Sequence, residues 1–77
     1  MWRLVVESDG PSAILLTRQD VPVLAGTSAH EAVARGGYVL ADSEGTAEVV
    51  LIGTGSEVAV ALDAAATLTA AGRAVRV

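Results

Sequence analysis

The chain has 77 residues, 52% of them hydrophobic, with one Trp, one Tyr, no Phe and no Cys. A chain this short buries only about 60% of its unfolded surface, and small aliphatic residues in place of aromatics suit a close-packed α/β core rather than disorder. A formal net charge of −4 argues against whole-surface attraction to nucleic acid or an anionic membrane, and the missing cysteines exclude a disulfide framework or thiolate zinc site. No run reaches the ~20 apolar residues of a membrane span, and the N-terminus has no signal-like apolar stretch.

Taken in chain order, Trp2, Val5 and Val6 share one side of a helical wheel, so the chain opens in the last turns of an amphipathic helix. Asp9-Gly10-Pro11 stops it. Ser12 to Thr17 is continuously apolar around Ala13-Ile14-Leu15-Leu16, the pattern of a buried parallel strand. Residues 21–45 read as a linker with little structure of its own. Within it Ser28 and Glu31 have capping-box spacing, a short helix from Ala29 to Arg35 ends at Gly36-Gly37, and Asp42 to Gly45 forms a turn. Tyr38-Val39-Leu40 has the composition of a short strand.

Glu48 to Ile52 reads as a second buried strand. Gly53-Thr54-Gly55-Ser56-Glu57 turns into a helix, with Thr54 and Glu57 again at capping-box spacing. Val58, Ala61, Leu62, Ala65 and Leu68 form its apolar stripe, and Gly72 ends it. Ala74 to Val77 starts a third strand, completing a βαβ crossover of the right-handed kind. The fold class is α/β, with parallel strands and a βαβ unit at the C-terminal end. Starting inside a helix and stopping at the start of a strand, the chain is expected to be a fragment truncated at both ends, with neither core complete.

Three features invite a chemical reading. Gly53-x-Gly55 between strand and helix resembles a dinucleotide turn, but Val58 occupies the third glycine position, so a tight capped turn is the preferred reading. His30-Glu31 lacks the second histidine of a metalloprotease motif, and Asp42, Glu44 and Glu48 read as solvated surface. Arg18 stands one residue beyond the carboxyl end of the first strand, where ligands of parallel sheets gather, and its planar fork suits a phosphate or carboxylate. A salt bridge to Asp20 explains Arg18 equally well.

The stretches "GPSAILLTRQDVPVL" (Gly10–Leu24), "GGYVLAD" (Gly36–Asp42) and "VVLIGTGSEVAVALDAA" (Val49–Ala65), followed by "AGRAVRV" (Ala71–Val77), resemble transketolases. "LTRQDVP" and "GGYVLAD" carry the specificity; "LIGTGSEV" is shared with related thiamine enzymes such as 1-deoxyxylulose-5-phosphate synthase. The resemblance implies that residues 1–20 end the middle, pyrimidine-binding domain, 21–45 link, and 46–77 begin the C-terminal domain. It implies a cytoplasmic homodimer using thiamine diphosphate and Mg²⁺ to move a two-carbon ketol unit between sugar phosphates in the pentose phosphate pathway. It implies that Arg18 binds the substrate's phosphate. The family's cofactor- and metal-binding motifs, its activating glutamate and its active-site histidines have no counterpart here, so the chain alone is expected to be inactive. The alternatives are a piece of a related thiamine enzyme, or a stand-alone α/β module binding an anion or a protein.

Overall fold

The computed structural model describes residues 1–27 and 30–77. Its elements are α1 (Trp2–Glu7), α2 (His30–Ala34), β1 (Val49–Val50), α3 (Glu57–Ala70) and β2 (Val75–Arg76). The expected capping box at Ser28 and helix start at Ala29 lie outside the described residues.

The C-terminal half forms the α/β unit that the sequence implies. β1 and β2 pair in parallel, Val49 opposite Val75 and Val50 opposite Arg76. The Glu48 and Val49 amides donate to the Ala74 carbonyl, and the Leu51 amide donates to that of Arg76 at 2.8 Å. Alternation of the pleat then turns Val77 to the opposite side. There its carbonyl accepts from the Leu40 and Ala41 amides at 2.8 and 3.2 Å, and its own amide donates to Ala41 at 2.8 Å. β2 therefore bonds on both sides, and the expected strand around Tyr38–Leu40 appears as this short pairing rather than a full strand.

α3 connects the two strands and packs against β2. Its inward stripe is the one the 3.6-residue period selects: Ala65 is buried, and Val58, Ala61, Leu62 and Leu68 are half-buried. The helix ends in a complete Schellman arrangement. Gly72 takes φ +87°, its amide donates to the Thr69 carbonyl at 3.0 Å, and the Arg73 amide reaches back to Leu68 at 3.0 Å. Only a residue without Cβ adopts that left-handed conformation without strain.

Two expectations are corrected. Residues 12–17 belong to no strand or helix, and Leu15 is 89% exposed. A parallel strand needs a neighbour's backbone, and none of the described residues supplies one to this segment. The run 48–52 is buried on one face only. Val49 and Leu51 are half-buried, while Ile52 is 93% exposed because none of the described residues covers the sheet's other face.

The buried hydrophobic residues among those described are Ala65 and Val75. Accessible surface is 6097 Å², against about 4,300 Å² for a compact monomer of this mass. The radius of gyration is 14.4 Å, against about 11.5 Å for a compact domain of this length. The helix and sheet are correctly formed locally, but much of the apolar surface that would normally stabilise them remains in water.

Ion pairs brace the sheet from outside. Arg76 Nε donates to Asp42 Oδ1 at 2.8 Å, and Arg73 Nη1 lies 3.4 Å from Glu48 Oε2. Asp42 is thus not merely a solvated carboxylate, as the sequence suggested. The Arg76 hydrogen bond, aided by the Ser43 amide, holds Asp42 below the usual carboxylate range against a smaller opposing effect of desolvation. A depressed folded value means that the pair's contribution is present above the unfolded carboxylate value and is lost as pH falls through the folded one. Both partners are exposed, so the contribution is small. Carboxylate titration by NMR is expected to give a midpoint for Asp42 below about 3.9, rising toward that value in Arg76→Gln. An Asp42 midpoint indifferent to Arg76→Gln contradicts the pairing.

Candidate functional site

Arg18 lies in the exposed loop that follows the unpaired segment 12–17. The Thr17 hydroxyl donates to the Gln19 carbonyl at 3.3 Å, closing a bend with Arg18 at its tip. Among the described residues the ion pairs are Arg3–Glu7, His30–Glu7, Arg73–Glu48 and Arg76–Asp42. Arg18 takes part in none of them, and the expected alternative, a bridge to Asp20, is not formed. Among the described residues the guanidinium has no hydrogen-bond or ion-pair partner, so its five donors face outward from them. The expectation that Arg18 follows a strand's carboxyl end does not hold, because the segment before it is not paired into a sheet.

The turn from β1 into α3 is where the loop meets the C-terminal unit. A Cβ placed on Gly53 would lie 3.1 Å from Val58 Cα and 3.2 Å from both the Glu57 carbonyl oxygen and the Val58 amide nitrogen. All three are backbone atoms, so they cannot swing aside. Gly55 sits at φ +59° in the left-handed region. The expected Thr54–Glu57 capping box is not formed. Ser56 is the N-cap and makes no side-chain cap bond; its hydroxyl pairs with Glu57 Oε1 at 3.2 Å, and the Thr54 carbonyl accepts from the Glu57 amide. The Gly-x-Gly pattern therefore serves a tight turn.

The uncovered sheet face borders a trough of about 580 Å³, walled by segments 36–40 and 50–55 with Val58, Arg76 and Val77. Its one charged side chain, Arg76, is already paired with Asp42. The trough is largely apolar. His30 is half-buried with Nε2 3.9 Å from Glu7 Oε2, a contact between α2 and α1 that the sequence did not signal. Among the described residues no three of His, Cys, Asp and Glu come together as metal ligands. Among the described residues, Arg18 is the sequence-derived cation left exposed and without an ion pair.

Comparison with known proteins places the chain in a family. The family model described as the transketolase-like TK C-terminal domain matches residues 36–77. Transketolase 2 of Aliivibrio fischeri is 50% identical over 78 aligned positions covering 99% of this chain, and transketolase 1 of the same strain is 49% identical over the same share. A transketolase of a Nostoc species is 48% identical over 92% of the chain. The chain spans 12% of the length of the two Aliivibrio proteins and 10% of the Nostoc protein. No solved structure matches it. The family match takes in the α/β unit and the 40–41 pairing beside it, more than half of the sequence, and the chain belongs to the transketolase family.

Proposed function

We propose that these residues act as part of a transketolase that transfers a two-carbon ketol unit between sugar phosphates in the pentose phosphate pathway, with Arg18 binding the substrate's phosphate. The observation that carries this is the reach of the similarity. Half-identity to a transketolase runs over 99% of the chain, so it includes the Arg18 loop as well as the segment the family model covers. An unpaired, exposed guanidinium on a bent loop supports the role, since its fork matches two phosphate oxygens at once. In this reading residues 1–20 belong to the pyrimidine-binding domain, 21–45 link, and 46–77 begin the C-terminal domain. The stand-alone module and the related thiamine enzyme are less well supported, because the similar proteins are named transketolases over nearly the whole chain.

The reading includes a cytoplasmic homodimer using thiamine diphosphate and Mg²⁺. The donors present do not fit that group, as no three metal-ligating side chains meet among the described residues. In this proposal the cofactor is held elsewhere in the enzyme, and these residues contribute substrate binding and scaffold.

A chimera tests the reading: Aliivibrio fischeri transketolase 2 with its matching segment replaced by this chain. It is expected to dimerise and to transfer ketol units in a thiamine diphosphate-dependent way, while the 77 residues alone show no turnover. A folded, cofactor-loaded chimera without transfer, or cofactor-dependent turnover by the 77-residue chain alone, contradicts it.

A further inference from the structure

Two stretches far apart in sequence meet at the N-terminal turn of α3. A Cβ built on Gly55 lies 3.6 Å from Thr17 Cγ2, at ordinary contact distance. A few residues further on, Val21 and Pro22 share the walls of a cavity of about 360 Å³ with Gly55 and Ser56. The loop therefore borders the turn both before and after Arg18.

The two partners differ in freedom. The turn is fixed, because Gly53 is boxed in by backbone and Gly55 holds a left-handed φ of +59°. The loop has little of its own to fix it beyond the Thr17–Gln19 bond, and Arg18 has no ion pair with any described residue. In such a contact the element fixed by its own backbone sets the position of the one with fewer bonds of its own.

We propose that the Gly53–Ser56 turn is a positioning element for Arg18. Gly55, whose left-handed backbone borders the Thr17 methyl, sets where the guanidinium stands and so how strongly phosphorylated sugars are preferred. The inference rests on the reading of Arg18 as the phosphate-binding residue. It gives the C-terminal unit a part in substrate selection without contact with substrate. Gly55 acts through Thr17, and is a positioning residue only.

The test uses the full-length chimera and two variants. Gly55→Asn tolerates the left-handed backbone but places atoms against Thr17. Thr17→Ser deletes the contacting methyl and keeps the hydroxyl that bonds Gln19, leaving the turn untouched should Gly55→Asn not fold. Both are expected to raise KM for sugar phosphates, about three- to tenfold for Gly55→Asn and less for Thr17→Ser, with kcat and the KM for an unphosphorylated acceptor nearly unchanged. Arg18→Ala is measured beside them. If Arg18→Ala separates the two acceptor classes but neither Gly55→Asn nor Thr17→Ser does, the positioning role is overturned. If Arg18→Ala does not separate them, the phosphate-binding reading is overturned and this inference with it.

Discussion

Arg18→Ala in the full-length chimera is expected to lower kcat/KM for sugar phosphates by about 30- to 1,000-fold, or about 2–4 kcal/mol. The size follows from what is left behind. A phosphate dianion drawn into an enzyme site gives up water, and losing a bidentate charged partner leaves that cost uncompensated. In the proposed reaction the phosphate takes no part in bond making, so its binding is expected to count alike before and during the reaction. The loss is therefore expected mainly in KM, with kcat changing less. Arg18→Lys keeps the charge but not the planar fork, and is expected to fall between wild type and alanine. An unphosphorylated acceptor separates the two original readings of this arginine. Under the phosphate reading its kinetics barely change, whereas an equal loss for both acceptors marks a structural role. The absence of an Asp20 bridge already weighs against the structural role.

Gly53→Ala is expected to destabilise the βαβ unit by about 1–3 kcal/mol, the usual cost of forcing an extra methyl into a packed site. The cause is steric and local. The added Cβ meets backbone atoms of Glu57 and Val58 at 3.1 to 3.2 Å, so relief requires moving the first turn of α3 away from β1. That turn places the stripe from Val58 to Leu68, and the stripe supplies much of what little burial the unit has. Thermal or urea denaturation of the chimera measures the effect. Gly37→Ala is the control, because nothing lies within 4 Å of the Cβ it adds. Equal stability of the Gly53→Ala and Gly37→Ala variants contradicts the steric account.

The contrast between these glycines illustrates how much of the fold is written locally. The stripe of α3 and its Gly72 terminus were legible because both depend on spacing within one helix. The pairing of β1 with β2 was legible as a strand–helix–strand pattern. The exposure of residues 12–17 was not, because a strand's burial depends on neighbours that its own sequence does not specify. The same holds for Ile52, apolar in sequence but facing water. Thr54 looked like a cap from its distance to Glu57, yet the left-handed Gly55 tightens the turn and moves the cap position to Ser56. The Asp42–Arg76 pair joins residues 34 apart, and no local pattern announces it.

The candidate site divides in the same way. Arg18 stood out as a cation at the end of an apolar run in an acidic chain, and family resemblance gave it a ligand. Its neighbour Gly55 looked like part of a nucleotide-type turn. Only the fold shows that this turn lies beside Thr17, 38 positions earlier in the sequence and next to the arginine.

The central claim is that Arg18 holds the phosphate of the sugar substrate. A crystal structure of the full-length chimera with a ketose phosphate bound addresses it most directly. The account predicts guanidinium nitrogens of Arg18 about 2.7–2.9 Å from two phosphate oxygens. A phosphate bound entirely by other residues, with Arg18 turned away or paired to a carboxylate, contradicts it.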